Sequence, residues 1–89
     1  MNICLLDGKD MTSREKAYRI IEKTMCFPDW FGHNLDALAD CLGELPSDTA
    51  IVFVNTGALP ENLGPYAEKL LNCFRMLAEE TGFQFIEKA

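Results

Sequence analysis

Residues 50–54 read "AIVFV", bounded by "PSDT" on one side and "NTG" on the other. Five consecutive apolar residues, mostly β-branched or aromatic, leave no polar face. The segment is therefore predicted as a strand covered on both sides, as in a parallel sheet. Parallel neighbours cannot be joined by hairpins and need long, usually helical, crossovers. Two other runs qualify as partners: "NICLL" at 2–6, closed by the turn pair Asp7-Gly8, and "FQFIE" at 83–87.

The intervening stretches have helical periodicity. Thr12, with Glu15 three residues on, is predicted as a capping box that opens a helix reaching about Met25. Its core face is Ala17, Tyr18, Ile21 and Met25. Pro28 biases Phe27 to an extended conformation and ends that helix at or before it. Asn34 is predicted as the N-cap of a second helix to about Leu42, with Gly43 just past its end. Residues 59–65 hold a short helical turn, and 66–80 form a long amphipathic helix stopped by Gly82. The expected order is β-α-α-β-α-β, an α/β fold with a three-stranded parallel sheet packed with helices. Its 89 residues suit a single domain spanning 1–89.

Charge narrows the possible partners. Between Thr24 and Glu68 there is no Lys or Arg against seven carboxylates, so this segment carries −7 and the remainder +1. Such a field repels nucleic acid and anionic membranes and attracts cationic partners. No apolar run approaches a membrane span, and the N-terminus lacks the pattern of a secretion signal, so a cytoplasmic location is expected. The four cysteines lack Cys-x-x-Cys spacing and fall in apolar strand or helix contexts, as reduced thiols do.

Signatures of catalysis are thin. His33, the sole histidine, falls at i, i+3, i+7 with Asp36 and Asp40, a weak set for a metal on an exposed helix end. Two aspartates on an open helical face lack the desolvation that separates acid and base. No enzyme activity, cofactor or metal is expected. The stretch "CFPDWFGHNLDALADCL" at 26–42 makes better sense as a binding surface. Trp30 and Phe31 sit on a connection constrained by Pro28 and Gly32, and Trp commonly dominates interface energies. At least one of the two rings is expected in the core. Asp36, Asp40 and Glu44 then form an i, i+4, i+8 acidic stripe opposite the apolar Leu35, Leu38 and Leu42, suited to an Arg/Lys-rich partner.

These same residues carry a family likeness. Pro28, Asp29, Trp30-Phe31, then Gly32-His33-Asn34-Leu35-Asp36-Ala37-Leu38 and Asp40-Cys41-Leu42, together with the element order, resemble the barstar family of intracellular ribonuclease inhibitors. The resemblance implies an immunity protein whose second helix and preceding loop plug the cationic active site of a basic ribonuclease or nuclease toxin. Asp40 would stand where a substrate phosphate binds, with Trp30, Phe31, Gly32, Asn34, Asp36 and Glu44 around it. The sequence departs from the family pattern in three places. Ala39 stands where the family's ribonuclease inhibitors typically have Trp, Met76 aligns with an interface carboxylate, and Trp30-Phe31 lack tyrosine hydroxyls. These differences point to a cognate partner other than barnase itself; the alternative reading is an interaction module on the same fold that binds a non-nuclease protein. The free protein is expected to be monomeric.

Overall fold

The computed structural model describes residues 2–89. In chain order the elements are β1 (Asn2–Asp7), α1 (Arg14–Met25), α2 (Leu35–Leu42), β2 (Thr49–Val54), α3 (Leu59–Leu63), α4 (Tyr66–Thr81) and β3 (Gln84–Glu87), with single 3-10 turns after β1 and β2. Both strand pairs are parallel and β2 is central. The expected α/β architecture is present, and the 59–65 turn is a five-residue helix.

The register places Leu6 beside Phe53 and Ile51 beside Phe85. Leu6, Ile51 and Phe53 are fully buried against the helices. Phe53, Phe74 of α4 and Phe85 form a ring cluster, Phe74 stacking on Phe85 at 5.2 Å. The other pleat tells a different story. Ile3, Leu5 and Ile86 are exposed, and Val52 and Val54 only half-buried. The expectation that β2 is covered on both faces is therefore corrected. Its outward valines are shielded sideways by the flanking strands rather than by a second helical layer, so a central strand reads as apolar throughout even in a two-layer fold.

Local chemistry sets the helix ends. The cap of α1 is Ser13, not Thr12: its Oγ accepts from the Lys16 amide at 3.2 Å. Either hydroxyl could serve, and the chain uses the one a residue nearer the apolar stripe. Asn34 caps α2 as expected, its Oδ1 accepting from the Ala37 amide at 2.8 Å. Gly82 closes α4 in the left-handed region (φ +97°). Gly43 ends α2 while keeping a right-handed φ of −64°, so its role is not conformational freedom. A Cβ there would lie 3.3 Å from the Ala39 carbonyl.

Two polar fasteners complete the frame. Asp7 Oδ1 accepts from Asn55 Nδ2 at 2.9 Å and from the Lys9 amide at 3.0 Å, tying the ends of β1 and β2 together. Arg75 of α4 donates to both Glu87 oxygens at 2.7 Å and to Glu68 at 2.8 Å, tying α4 to β3. Two of these carboxyls are held below the usual range: Asp7 chiefly through Asn55, Glu87 chiefly through Arg75.

Candidate protein-binding face

The loop between α1 and α2 divides its two aromatics. Phe31 is 5% exposed and Trp30 78%. Phe31 packs on Phe27 (5.1 Å between centroids) and on Tyr18 of α1 (6.1 Å). The loop also bonds to itself, the Phe31 amide to the Pro28 carbonyl and the Asn34 amide to the Gly32 carbonyl, both at 2.9 Å. Burying one ring of a Trp-Phe pair inside such a turn turns the other outward. Phe31 is thus closed off from solvent and anchors its exposed neighbour.

Gly32 is half-buried, and its space is taken internally. A Cβ there would meet Asn34 Nδ2 at 3.1 Å and the Ala37 methyl at 3.4 Å. The glycine lets the loop close onto the cap of α2. Asn34 itself is exposed, with its oxygen committed to capping.

Leu38 and Leu42 of α2 are fully buried and Leu35 packs against the core, so the opposite face of the helix must point outward. Asp36 and Asp40 are exposed there, with half-buried Ala39 between them. Among the described residues, no Lys, Arg or His forms an ion pair with either aspartate or with Glu44. Glu15, Glu22, Glu68 and Glu87, elsewhere on the molecule, do face basic side chains. Glu44 lies two residues past the end of α2, where its amide donates to the Cys41 carbonyl at 3.2 Å and keeps it on the same turn.

The carboxylates act on the thiols behind them. Burial pushes Cys73 up to about 11, with the Asp36 charge adding to it. Cys41 is raised by burial and then by Glu44 and Asp40. Both thiols are therefore neutral near pH 7, and the charge of this face is that of its aspartates and Glu44.

On α4, Cys73 Sγ approaches the Leu35 carbonyl at 3.9 Å, placing that part of the helix against α2. Met76, three residues further on, is 59% exposed. Trp30, Asp36, Ala39, Asp40, Glu44 and Met76 all have side chains available to a partner, and Phe31 does not. His33 does not join Asp36 and Asp40; its ring turns to α1 and contacts Glu15 and Glu22. Among the described residues, no group of three or more His, Cys, Asp or Glu side chains is arranged to hold a metal.

Comparison with known proteins selects one family. The model of the family described as Barstar (barnase inhibitor) matches residues 1–87. A Bacillus subtilis (strain 168) protein named "Putative ribonuclease inhibitor YrdF" is 33% identical over 86 residues, which is 96% of this chain and 94% of that protein.

Proposed function

This chain belongs to the barstar family, and from that premise we propose that it is an inhibitor, an immunity protein that closes the active site of a basic ribonuclease or nuclease toxin. The plug is the outward face of α2 together with the loop before it. Trp30 supplies apolar area at the rim, Asp36 and Glu44 orient the approach, and Asp40 takes the place of a substrate phosphate. The observation that carries this reading is the unpaired state of Asp36 and Asp40 beside an exposed tryptophan, in a segment without Lys or Arg. Two carboxylates left four apart on a helix cost about 0.2–0.5 kcal/mol. The helix N-terminus offsets part of that cost at Asp36, in the first turn, but opposes Asp40 in the last; a cationic cleft would favour both.

The target is a protein, and its work is blocked without chemistry by this chain. Its cytoplasmic location is part of the proposal; among the described residues no helix is long and apolar enough to cross a membrane. The test is inhibition of a panel of basic ribonucleases, compared between wild type and Asp40→Ala. Removing one side of a buried ion pair costs about 3–5 kcal/mol, because the opposing cation is left without a partner. Inhibition of at least one ribonuclease by the wild type, largely lost in the variant, is the expected result. Equal inhibition by both proteins removes Asp40 from the mechanism.

Exposed Met76 favours a second reading, an interaction module whose partner meets α4 with an apolar surface and is not a nuclease. Recovery from the native cell of a bound protein with no basic cleft would select it.

A further inference from the structure

The loop carrying Trp30 has a polar anchor on α1 as well as its buried ring. His33 Nδ1 lies 2.9 Å from Glu15 Oε1, and Nε2 lies 3.6 Å from Glu22 Oε1. The imidazole stacks nearly parallel on Tyr18 (6.0 Å, 10°) and leans on Phe31 at 5.7 Å. Its side chain is 27% exposed, so water does not fully screen these contacts. Glu15 and Glu22 stand seven residues, about two helical turns, apart on α1, and the ring spans the gap between them.

We propose that His33 is a positioning residue: it clasps the 27–34 loop to α1 and so presets Trp30 and the start of α2 for docking. The inference rests on the inhibitory reading for its consequence in binding, while the clasp itself is a property of the free protein. His33 is three residues from Trp30 and immediately precedes the cap Asn34, so fixing its ring fixes both. Nδ1 is within hydrogen-bond distance of Glu15, and Glu22 faces Nε2 from beyond hydrogen-bond reach, so Glu15 is the main hold on the ring.

Charged and titratable groups surround the ring. From α1 they are Glu15, which also pairs with Arg19 at 3.4 Å, and Glu22. Tyr18 lies beneath the ring, its hydroxyl bonded to the Tyr66 hydroxyl of α4, over which the Arg14 guanidinium sits at 4.6 Å. Burial holds the Tyr18 phenol neutral far into the alkaline range. Asp29 and Asp36, nearest along the chain, form no ion pair with His33.

Trp30 is the only tryptophan, so its fluorescence anisotropy reads the loop directly. We would record it, with amide exchange of residues 29–34, in wild type, His33→Ala, His33→Asn and Glu22→Gln, with affinity for an inhibited ribonuclease measured in parallel. The wild-type loop is expected to be stiffer than that of His33→Ala. His33→Asn, which keeps a donor near the Nδ1 position, is expected to restore much of the rigidity lost in His33→Ala. Affinity should fall about two- to fivefold in His33→Ala, the range that exposed ion pairs support. Glu22→Gln, at a residue outside the core, should loosen the loop less than His33→Ala does.

A loop equally rigid in wild type and His33→Ala overturns the clasp. A loosened loop with unchanged affinity, where Asp40→Ala abolishes binding, overturns its positioning role. Unchanged binding in Asp40→Ala would instead count against the inhibitory reading and leave the free-protein measurements to decide the clasp.

Discussion

Trp30 and Phe31 are chain neighbours of similar chemistry with opposite tasks. Phe31 is enclosed by Phe27, Tyr18 and His33, and replacing it with Ala should cost about 3–5 kcal/mol of stability, measurable by denaturant unfolding. Trp30→Ala touches nothing internal and should leave stability within about 0.5 kcal/mol while weakening partner binding. Asp40 separates stability from function more sharply. It sits in the last turn of α2, where a negative charge opposes the helix dipole, and four residues after Asp36. Asp40→Asn should therefore stabilise the free protein by a few tenths of a kcal/mol, up to about 1, while it weakens binding. If that variant is destabilised instead, Asp40 has a structural role that contradicts its assignment.

At the scale of elements, what the sequence revealed depended on whether local chemistry was enough. Asn34 ahead of an apolar i, i+3, i+7 stripe announced α2, and the structure places the cap there. Asn34→Ala should cost about 1 kcal/mol and loosen the first turn of α2, seen as faster amide exchange at Asp36 and Ala37. The start of α1 was less legible, because Thr12 and Ser13 are adjacent and equally suited to cap. The open outer face of β2 was not legible either. Leu5, Val52 and Ile86 share one row of the sheet, and nothing in a single strand tells whether its outward side chains meet a helix or water. The acidic stripe was visible because its spacing is local to one helix. The His33 clasp was invisible, since Glu15 lies 18 residues away and meets the ring only after the chain has turned back. The division of Trp30 from Phe31 lay between these cases: the pair could be suspected of splitting, but only packing on Tyr18 decides which ring goes in.

For the whole molecule, Asp7 and Glu87 govern the acid limb of stability. Both have lowered folded values, so their contribution is present above the ordinary carboxylate range near 4 and is lost as pH falls through the lowered values. Thermal unfolding followed from about pH 6 to about pH 2 should show this loss, and Arg75→Met should remove the part due to Glu87. On the alkaline side Cys73, raised by burial from 9.0 to about 11, favours the fold below 9.0, and that advantage disappears as pH rises to about 11.

The same molecule-wide view separates two surfaces: the acidic face of α2 with Trp30 and Met76 on the helical layer, and the uncharged row of Leu5, Val52 and Ile86 on the open sheet. Amide exchange of the protein with and without a bound basic ribonuclease distinguishes them directly. Protection is expected over 29–44 and around Met76, at a ratio that falls with added salt, and none at Ile3, Leu5 or Ile86. Protection confined to the strands, with 29–44 exchanging as in the free protein, would contradict it.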